Sequence, residues 1–391
     1  MTNTNNQPVL ADYEVVKATA AKLREIDTGN MLDCALEFPK QIKSAIKASE
    51  SYIEGDIPLD RTLAHYLGLG GSAIAGELLR DMVYPKRVVS IHRGTTPPRD
   101  KCGIVVSSYS GNTQEIVELA PMVTGGIKSV LFLTSGGRLA DMAFEWAIPM
   151  WKIPTGYQPR AALGWSLGLF SVIMDRWQIT IGVTEKLARA ASRLATSLTR
   201  EEDPLDHPII RAAYPIASSL VGKNGLIFHS LSCTGAARRL AAQINENGKQ
   251  PAFAVLMPEG LHNAIEGISG GDPEAWTIIY IYDPGDATIL RDALRRSLTL
   301  LEERGFTCRL FPAAGNDQFE LTLSRVLMGD FASLFLAALR GVDPTDIPTI
   351  TALKPDIVRP PEETKEIIEG VEPVGAPADL SSTNAGLQPS L

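Results

Sequence analysis

Short apolar runs alternate with amphipathic stretches over most of this chain, and that rhythm sets the first reading of its architecture. Strand-length runs rich in Val, Ile and Leu stand at residues 64–69, 88–92, 104–107, 129–133 and 147–151. Between them, apolar positions three and four apart predict helices at 73–82, 114–122 and 139–144. Such alternation predicts a parallel sheet with helices on both faces, because each parallel crossover needs a helix-length connection. A helical middle follows at 160–177, 185–198 and 206–221. The alternation then resumes, with strands at 226–229, 252–256, 277–282 and 307–311 and helices at 234–245, 288–303 and 318–340. Two α/β halves in tandem are the economical reading, although no close sequence repeat links them. Ahead of both, residues 13–50 carry Val16, Ala20 and Leu23 at helical spacing. The expected division is a helical segment at 1–50, a first α/β subdomain at 51–155, a helical connector at 156–204 and a second α/β subdomain at 205–354.

Composition changes after residue 354. Residues 355–391 are rich in proline, acidic and small polar residues, and bury too little apolar surface to offset their ordering entropy. A mobile tail is expected there, with residues 362–369 able to form a transient helix. Elsewhere, 45% hydrophobic and 21% charged residues supply full cores. The longest uninterrupted apolar runs are strand-sized, well short of the ~20 residues of a membrane span, and residues 1–10 lack the features of a secretory signal. A net charge of −8 without a long basic run argues against nucleic acid as a partner. The four cysteines are scattered without a CxxC pair, which predicts neither a metal site nor a disulfide framework and fits a reducing cytoplasm. An anionic substrate must therefore be held by a local site, because the global field does not attract it.

Two turns offer such a site. Gly68-Leu69-Gly70-Gly71-Ser72 sits where a strand ends and a helix begins. Glycines let the backbone approach a ligand closely, the helix start presents unpaired N–H groups, and Ser72 adds a hydroxyl. Alone, this turn is also compatible with a tight connection of no function, and it lacks the full GxGxxG pattern of a dinucleotide site. The second turn, Ser107-Ser108-Tyr109-Ser110-Gly111-Asn112-Thr113, carries more hydroxyls than the single one that caps a helix. A phosphate monoester has several acceptor oxygens, and each charge-assisted bond is worth about 1.5–3 kcal/mol.

These turns, read together, resemble the sugar isomerase (SIS) fold and, more closely, the bifunctional phosphoglucose/phosphomannose isomerase family. Three further segments carry the resemblance: Gln158-Pro159-Arg160-Ala161-Ala162-Leu163, Asn245-Glu246-Asn247-Gly248-Lys249 and Pro258-Glu259-Gly260-Leu261-His262-Asn263. It spans roughly residues 31–354. The resemblance implies two tandem SIS-type subdomains, each a doubly wound parallel sheet, in a cytoplasmic homodimer without a cofactor or metal. It implies aldose–ketose isomerisation of a hexose 6-phosphate, glucose 6-phosphate to fructose 6-phosphate, with mannose 6-phosphate as a further substrate.

The same resemblance assigns the acid–base groups. Glu246 matches the family base that moves a proton between neighbouring carbons through an enediol. His262 matches the histidine that opens the cyclic sugar, which in the family can come from the partner subunit. Arg160 would stabilise the enediolate oxygen, and Lys354 occupies the place of a family lysine near the chain end. Gly71, Ser72, Ser108, Ser110 and Thr113 would hold the phosphate. Three positions depart from the family pattern. Gly248 stands where an alanine is expected, and Gly260 and Ala264 where a leucine and a glutamate are more usual. Two other readings remain: a non-catalytic phosphosugar sensor on the same fold, and an isomerase of a different sugar phosphate. Against the sensor, the region before residue 51 lacks the basic helix pair of a DNA-binding module.

Overall fold

In each half of the chain the first strand becomes an inner strand of a parallel sheet, and the chain then builds outward on both sides of it. The computed structural model describes residues 9–353, apart from residue 54 and residues 99–101 and 126–128. Two helices come first, α1 (Tyr13–Ile26) and α2 (Met31–Ala48). The first α/β stretch runs β1 (Asp60–Leu67), α3 (Gly71–Met82), β2 (Val89–His92), β3 (Cys102–Ser107), α4 (Gln114–Thr124), β4 (Val130–Thr134), α5 (Gly137–Glu145) and β5 (Met150–Lys152). Helices α6 (Leu163–Arg176), α7 (Val183–Leu198) and α8 (Pro208–Leu220) follow. The second stretch runs β6 (Asn224–His229), α9 (Thr234–Glu246), β7 (Ala252–Leu256), α10 (Ala264–Ser269), β8 (Trp276–Ile281), α11 (Thr288–Glu303), β9 (Thr307–Leu310) and α12 (Gln318–Arg340), and α13 (Pro348–Leu353) comes last.

The five-stranded sheet has the order β2-β1-β3-β4-β5 and the four-stranded sheet β7-β6-β8-β9, parallel throughout. In the first sheet the connections from β1 lead to opposite sides, to β2 and then to β3. The crevice at the carboxyl ends of β1 and β3 is therefore a topological switch point, the usual ligand site of an open α/β sheet. Both motif turns open into it.

The strands β3, β4, β6 and β8 are buried on both faces along almost their whole length, which explains their continuous apolar sequences. Along β3, Ile104 and Val106 pack with Ile116 of α4 and Leu139 of α5, whereas Val105 points into the large central core. Along β8, Ile278 and Tyr280 pack with Leu294 and Leu301 of α11, whereas Ile279 and Ile281 join the central core. The longest helix, α12, has an 18-residue window of mean hydropathy 1.4 that is 94% buried. By composition it passes for a membrane span, and its packing inside this core accounts for that composition.

Two expected elements differ in detail. The helix expected from residue 160 begins at Leu163, because Pro159–Ala161 form a separate 3₁₀ turn held by the buried Arg160 side chain. The strand expected from residue 147 begins at Met150, because Ala147 adopts φ 52° as the chain leaves α5. Both sheets lie in a compact unit that ends at Asp346, and α13 belongs to a second unit that begins at Ile347. The expected tail, its helix at 362–369 and Lys354 fall outside the described residues.

Candidate active site

The two turns are bonded to each other. Ser72 Oγ accepts from the backbone N–H of Tyr109 at 3.1 Å, which joins the start of α3 to the loop after β3. Tyr109 is itself fixed: its hydroxyl donates to the Pro154 carbonyl at 3.1 Å and accepts from Tyr157 N–H at 2.9 Å. Ser108 is buried, with its Oγ 2.9 Å from Thr113 Oγ1 and accepting from Gly111 N–H at 3.2 Å. Ser108 therefore shapes the loop, while the exposed Ser110 and half-buried Thr113 present hydroxyls at the start of α4. Gly111 has φ 69°, and a Cβ there would fall on the Gly136 carbonyl oxygen, so the bend admits only glycine. The first N–H groups of α4 have no intrahelical acceptor and complete a neutral, donor-rich cradle for an anion.

Arg160 closes the cradle on one side. A Cβ on Gly71 would lie 3.2 Å from Arg160 Cα, so the glycine lets this arginine's backbone sit against the turn. The Arg160 side chain is only 3% exposed. Its Nε donates to Asn247 Oδ1 at 2.8 Å, and its Nη2 to the Pro344 and Thr345 carbonyls at 2.5 and 3.1 Å. Nη1 is the nitrogen without a hydrogen bond among the described residues, and it lies 3.5 Å from Glu246 Oε2. Burial pushes the Arg160 pKa down and the Glu246 charge pushes it back up. The guanidinium still titrates far above neutrality and stays cationic.

Glu246 is the last residue of α9, and its side chain is 22% exposed beside Arg160. Helix α9 is locked by a buried network behind it. Arg239 Nε and Nη2 donate to the two oxygens of Asp330 on α12 at 2.8 and 2.7 Å, and Arg239 Nη2 also donates to the Arg160 carbonyl at 3.1 Å. Gln243 donates to Asp330 Oδ1 at 3.0 Å, and Asn247 Nδ2 to Ser333 Oγ at 2.9 Å. Sequence reasoning did not single out Arg239, Asn247 or Asp330. One signal was present: an aspartate in the apolar stretch from Val326 to Phe331 of α12 implies a buried cationic partner.

The structure thus gathers Glu246, Arg160 and Gly71 in one place, with Ser72, Ser108, Ser110 and Thr113 adjoining. It does not gather His262. Glu246 precedes β7 and the exposed His262 follows it, so the two stand at opposite ends of a five-residue strand, about 16 Å long. Two of the family departures have neighbours that fit them. A Cβ at Gly248 would meet Leu336 Cδ2 at 2.6 Å, and one at Gly260 would strike Val255 Cγ1. Chemically, the arrangement is a carboxylate and a desolvated cation beside a neutral anion cradle.

The chain is similar to known proteins in sequence and in fold. Residues 209–357 match the bacterial phospho-glucose isomerase C-terminal SIS domain. A bifunctional phosphoglucose/phosphomannose isomerase from Aeropyrum pernix is 30% identical over 338 residues, covering 83% of this chain and 97% of that protein. One of the same name from Caldicellulosiruptor bescii is 28% identical over 347 residues, covering 83% and 98%. Among solved structures, a hypothetical protein from Thermus thermophilus superposes with a TM-score of 0.66 at 15% identity, covering 91% of this chain and 95% of that one.

Proposed function

The chain belongs to the bifunctional phosphoglucose/phosphomannose isomerase family, and we propose that Glu246 moves the proton of its reaction while the two turns after β1 and β3 hold the substrate's phosphate. The reaction is the interconversion of glucose 6-phosphate and fructose 6-phosphate, and the relatives' names extend it to mannose 6-phosphate. The observation that carries the site assignment is the Arg160–Glu246 pair at 3.5 Å, lodged against the turn at Gly71.

In the open-chain aldose, Glu246 takes the proton from C2 while the C1 carbonyl oxygen gains negative charge. Arg160 Nη1, 3.5 Å from the carboxylate, is the group that stabilises the enediolate in this scheme. The O2 hydroxyl proton then passes to O1 as the C2 carbonyl forms, and the protonated Glu246 returns its proton to C1, which yields the ketose. In reverse, a turn of the enediolate about its C2–C3 bond lets the same carboxylate reach either configuration at C2. Serving both carbons with one carboxylate needs a substrate held by its far end. Ser110, Thr113, Ser72 and the α4 N–H groups supply that hold, with Gly71 and Ser108 shaping the turns. The two subdomains, 51–155 and 205–354, then divide the work: the first binds the phosphate and the second carries the base. Lys354 keeps its assignment, by the family resemblance, as a further cation of the reaction.

His262 enters this scheme from a second copy of the chain, as the ring-opening acid, in a cytoplasmic homodimer. The distance along β7 supports that assignment. Its test is subunit mixing. Glu246→Gln and His262→Ala chains, each inactive alone, should recover about one quarter of wild-type activity after co-refolding, because mixed dimers contain one intact composite site. Recovery of no activity would place both residues in one chain's site or in none.

The catalytic assignment itself is tested by Glu246→Gln alone. Solvent deuterium incorporation at C2 of glucose 6-phosphate should fall by about 10²–10⁴, while calorimetric binding of the sugar phosphate persists. Turnover near the wild-type rate would remove Glu246 from the mechanism.

A further inference from the structure

The segment that follows Glu246 contains a cation that the mechanism above does not use. Lys249 has φ 50°, a left-handed conformation unusual for a side-chain-bearing residue, and the bend turns its side chain back toward the helix end. Its Nζ donates to the carbonyl of Glu246 at 2.6 Å and to the carbonyl of Asp343 at 2.8 Å. Asp343 opens the short segment whose next two carbonyls, Pro344 and Thr345, receive Arg160 Nη2. That segment is anchored in turn. Asp343 Oδ2 accepts from Thr28 Oγ1 at 2.6 Å, and Thr345 Oγ1 accepts from Gly29 N–H at 2.8 Å. On the other flank, Arg340 Nη1 donates to the Gly248 carbonyl at 2.7 Å and to the Lys249 carbonyl.

We propose that Lys249 is a positioning residue for this reaction: one ammonium ties the backbone of the proposed base to the segment that orients Arg160, so that carboxylate and guanidinium are held in register. This rests on the reading of Glu246 and Arg160 given above. The last carbonyls of a helix have no intrahelical donor, and a cation there also complements the helix dipole. A cap alone would need only one acceptor. The second bond, to Asp343, is what links α9 to the Arg160 cradle, and nothing in capping requires it. Half-burial and the nearby Arg160 charge lower the Lys249 pKa, while Asp343, Asp346 and Glu246 oppose that effect.

The experiment compares Lys249→Met, which keeps the stem and removes the donors, with Lys249→Arg, which keeps charge and donors. The readouts are kcat and KM for fructose 6-phosphate and solvent deuterium exchange at its C1. Lys249→Met should lose at least tenfold in kcat and in exchange, with KM changed less than threefold, because misplacement by a fraction of an ångström acts on the reacting atoms and not on the phosphate. Lys249→Arg should regain at least threefold of the kcat lost. A Lys249→Met enzyme with kcat within twofold of wild type, a loss confined to KM, or an arginine variant no better than methionine would overturn the proposal. Calorimetric binding of fructose 6-phosphate to each variant reports whether the fold is intact, and a purely structural defect would abolish it. Glu246→Gln is assayed alongside: if it stays active the site reading fails, and if it is inactive while Lys249→Met is active, only the present inference fails.

Discussion

Replacing Asp330 by asparagine separates the two tasks of the buried network behind Glu246. Asp330 and Arg239 have side chains only 5% exposed, and they meet through two hydrogen bonds of 2.8 and 2.7 Å. Asparagine keeps the shape and one acceptor but leaves the Arg239 charge buried without a counterion. Breaking a buried pair from one side costs about 3–5 kcal/mol. For a chain of this size that is roughly 4–6 °C in melting temperature. Arg239 also donates to the Arg160 carbonyl, so its relaxation should displace Arg160 and lower kcat by about tenfold or more. The double variant Arg239→Met/Asp330→Leu removes both charges and should recover most of the stability, because a buried pair is readily replaced by apolar side chains. It should not recover the rate, since the bond to Arg160 is still missing. Urea unfolding midpoints at constant m-value report the first effect, and a coupled fructose 6-phosphate assay the second. A single variant that loses less than about 1 kcal/mol, or a double variant with full kcat, would refute the reasoning.

Other substitutions probe the cradle and the packing around it. Ser110→Ala removes one exposed hydroxyl from the proposed phosphate site and should raise KM by about tenfold with kcat nearly unchanged; an unaltered KM in steady-state assays would take Ser110 out of the cradle. Gly111→Ala should unfold the loop or raise KM steeply, because its Cβ would overlap the Gly136 carbonyl, and a variant with wild-type melting temperature and KM would contradict that geometry. Burial raises the Asp81 carboxyl from 3.8 to about 8. The folded chain therefore holds a proton there that the unfolded chain has lost, and stability falls as pH rises from about 4 to about 8. Asp81→Asn keeps an acceptor for the Gly235 N–H and should flatten the decline in melting temperature between pH 6 and pH 8; an unchanged slope would mean that Asp81 is ionised throughout.

The parts of this molecule that were legible in sequence are those decided by local periodicity and local chemistry. β3 and β8 read as strands because both of their faces are apolar, and the proposal that the loop from Ser107 to Thr113 takes an anion starts from hydroxyls that exceed the needs of a helix cap. The partners of Arg160 were not legible. Asn247 lies 87 residues away and the accepting carbonyls 184 and 185 residues away, and no spacing rule connects such positions. Asp330 was half-legible: its burial could be inferred from its apolar neighbours, but the choice of Arg239 over Arg160 or Arg325 depends on how α9 crosses α12. Gly248 and Gly260 read as departures because the sequence does not show what fills the space. Leu336 and Val255 occupy it, so at each position a neighbour already stands where a side chain would go.

The same topology sets a limit on how the site can be completed. In a parallel sheet every helix returns the chain from the carboxyl end of one strand to the amino end of the next. A residue at the end of α9 and one in the loop after β7 are therefore held apart by the full length of β7, whatever rotamers they adopt. A histidine side chain reaches about 6 Å and β7 spans about 16 Å, so no local adjustment within one chain brings His262 to Glu246. If both groups act on one sugar, the second must come across a two-fold interface, and each interface then serves two sites at once. The proposed phosphate cradle, by contrast, draws all its residues from a single chain. Subunit contact would then control ring opening but not substrate capture: an interface variant should bind fructose 6-phosphate normally, still exchange a C1 proton of the open-chain ketose, and fail selectively on the cyclic aldose.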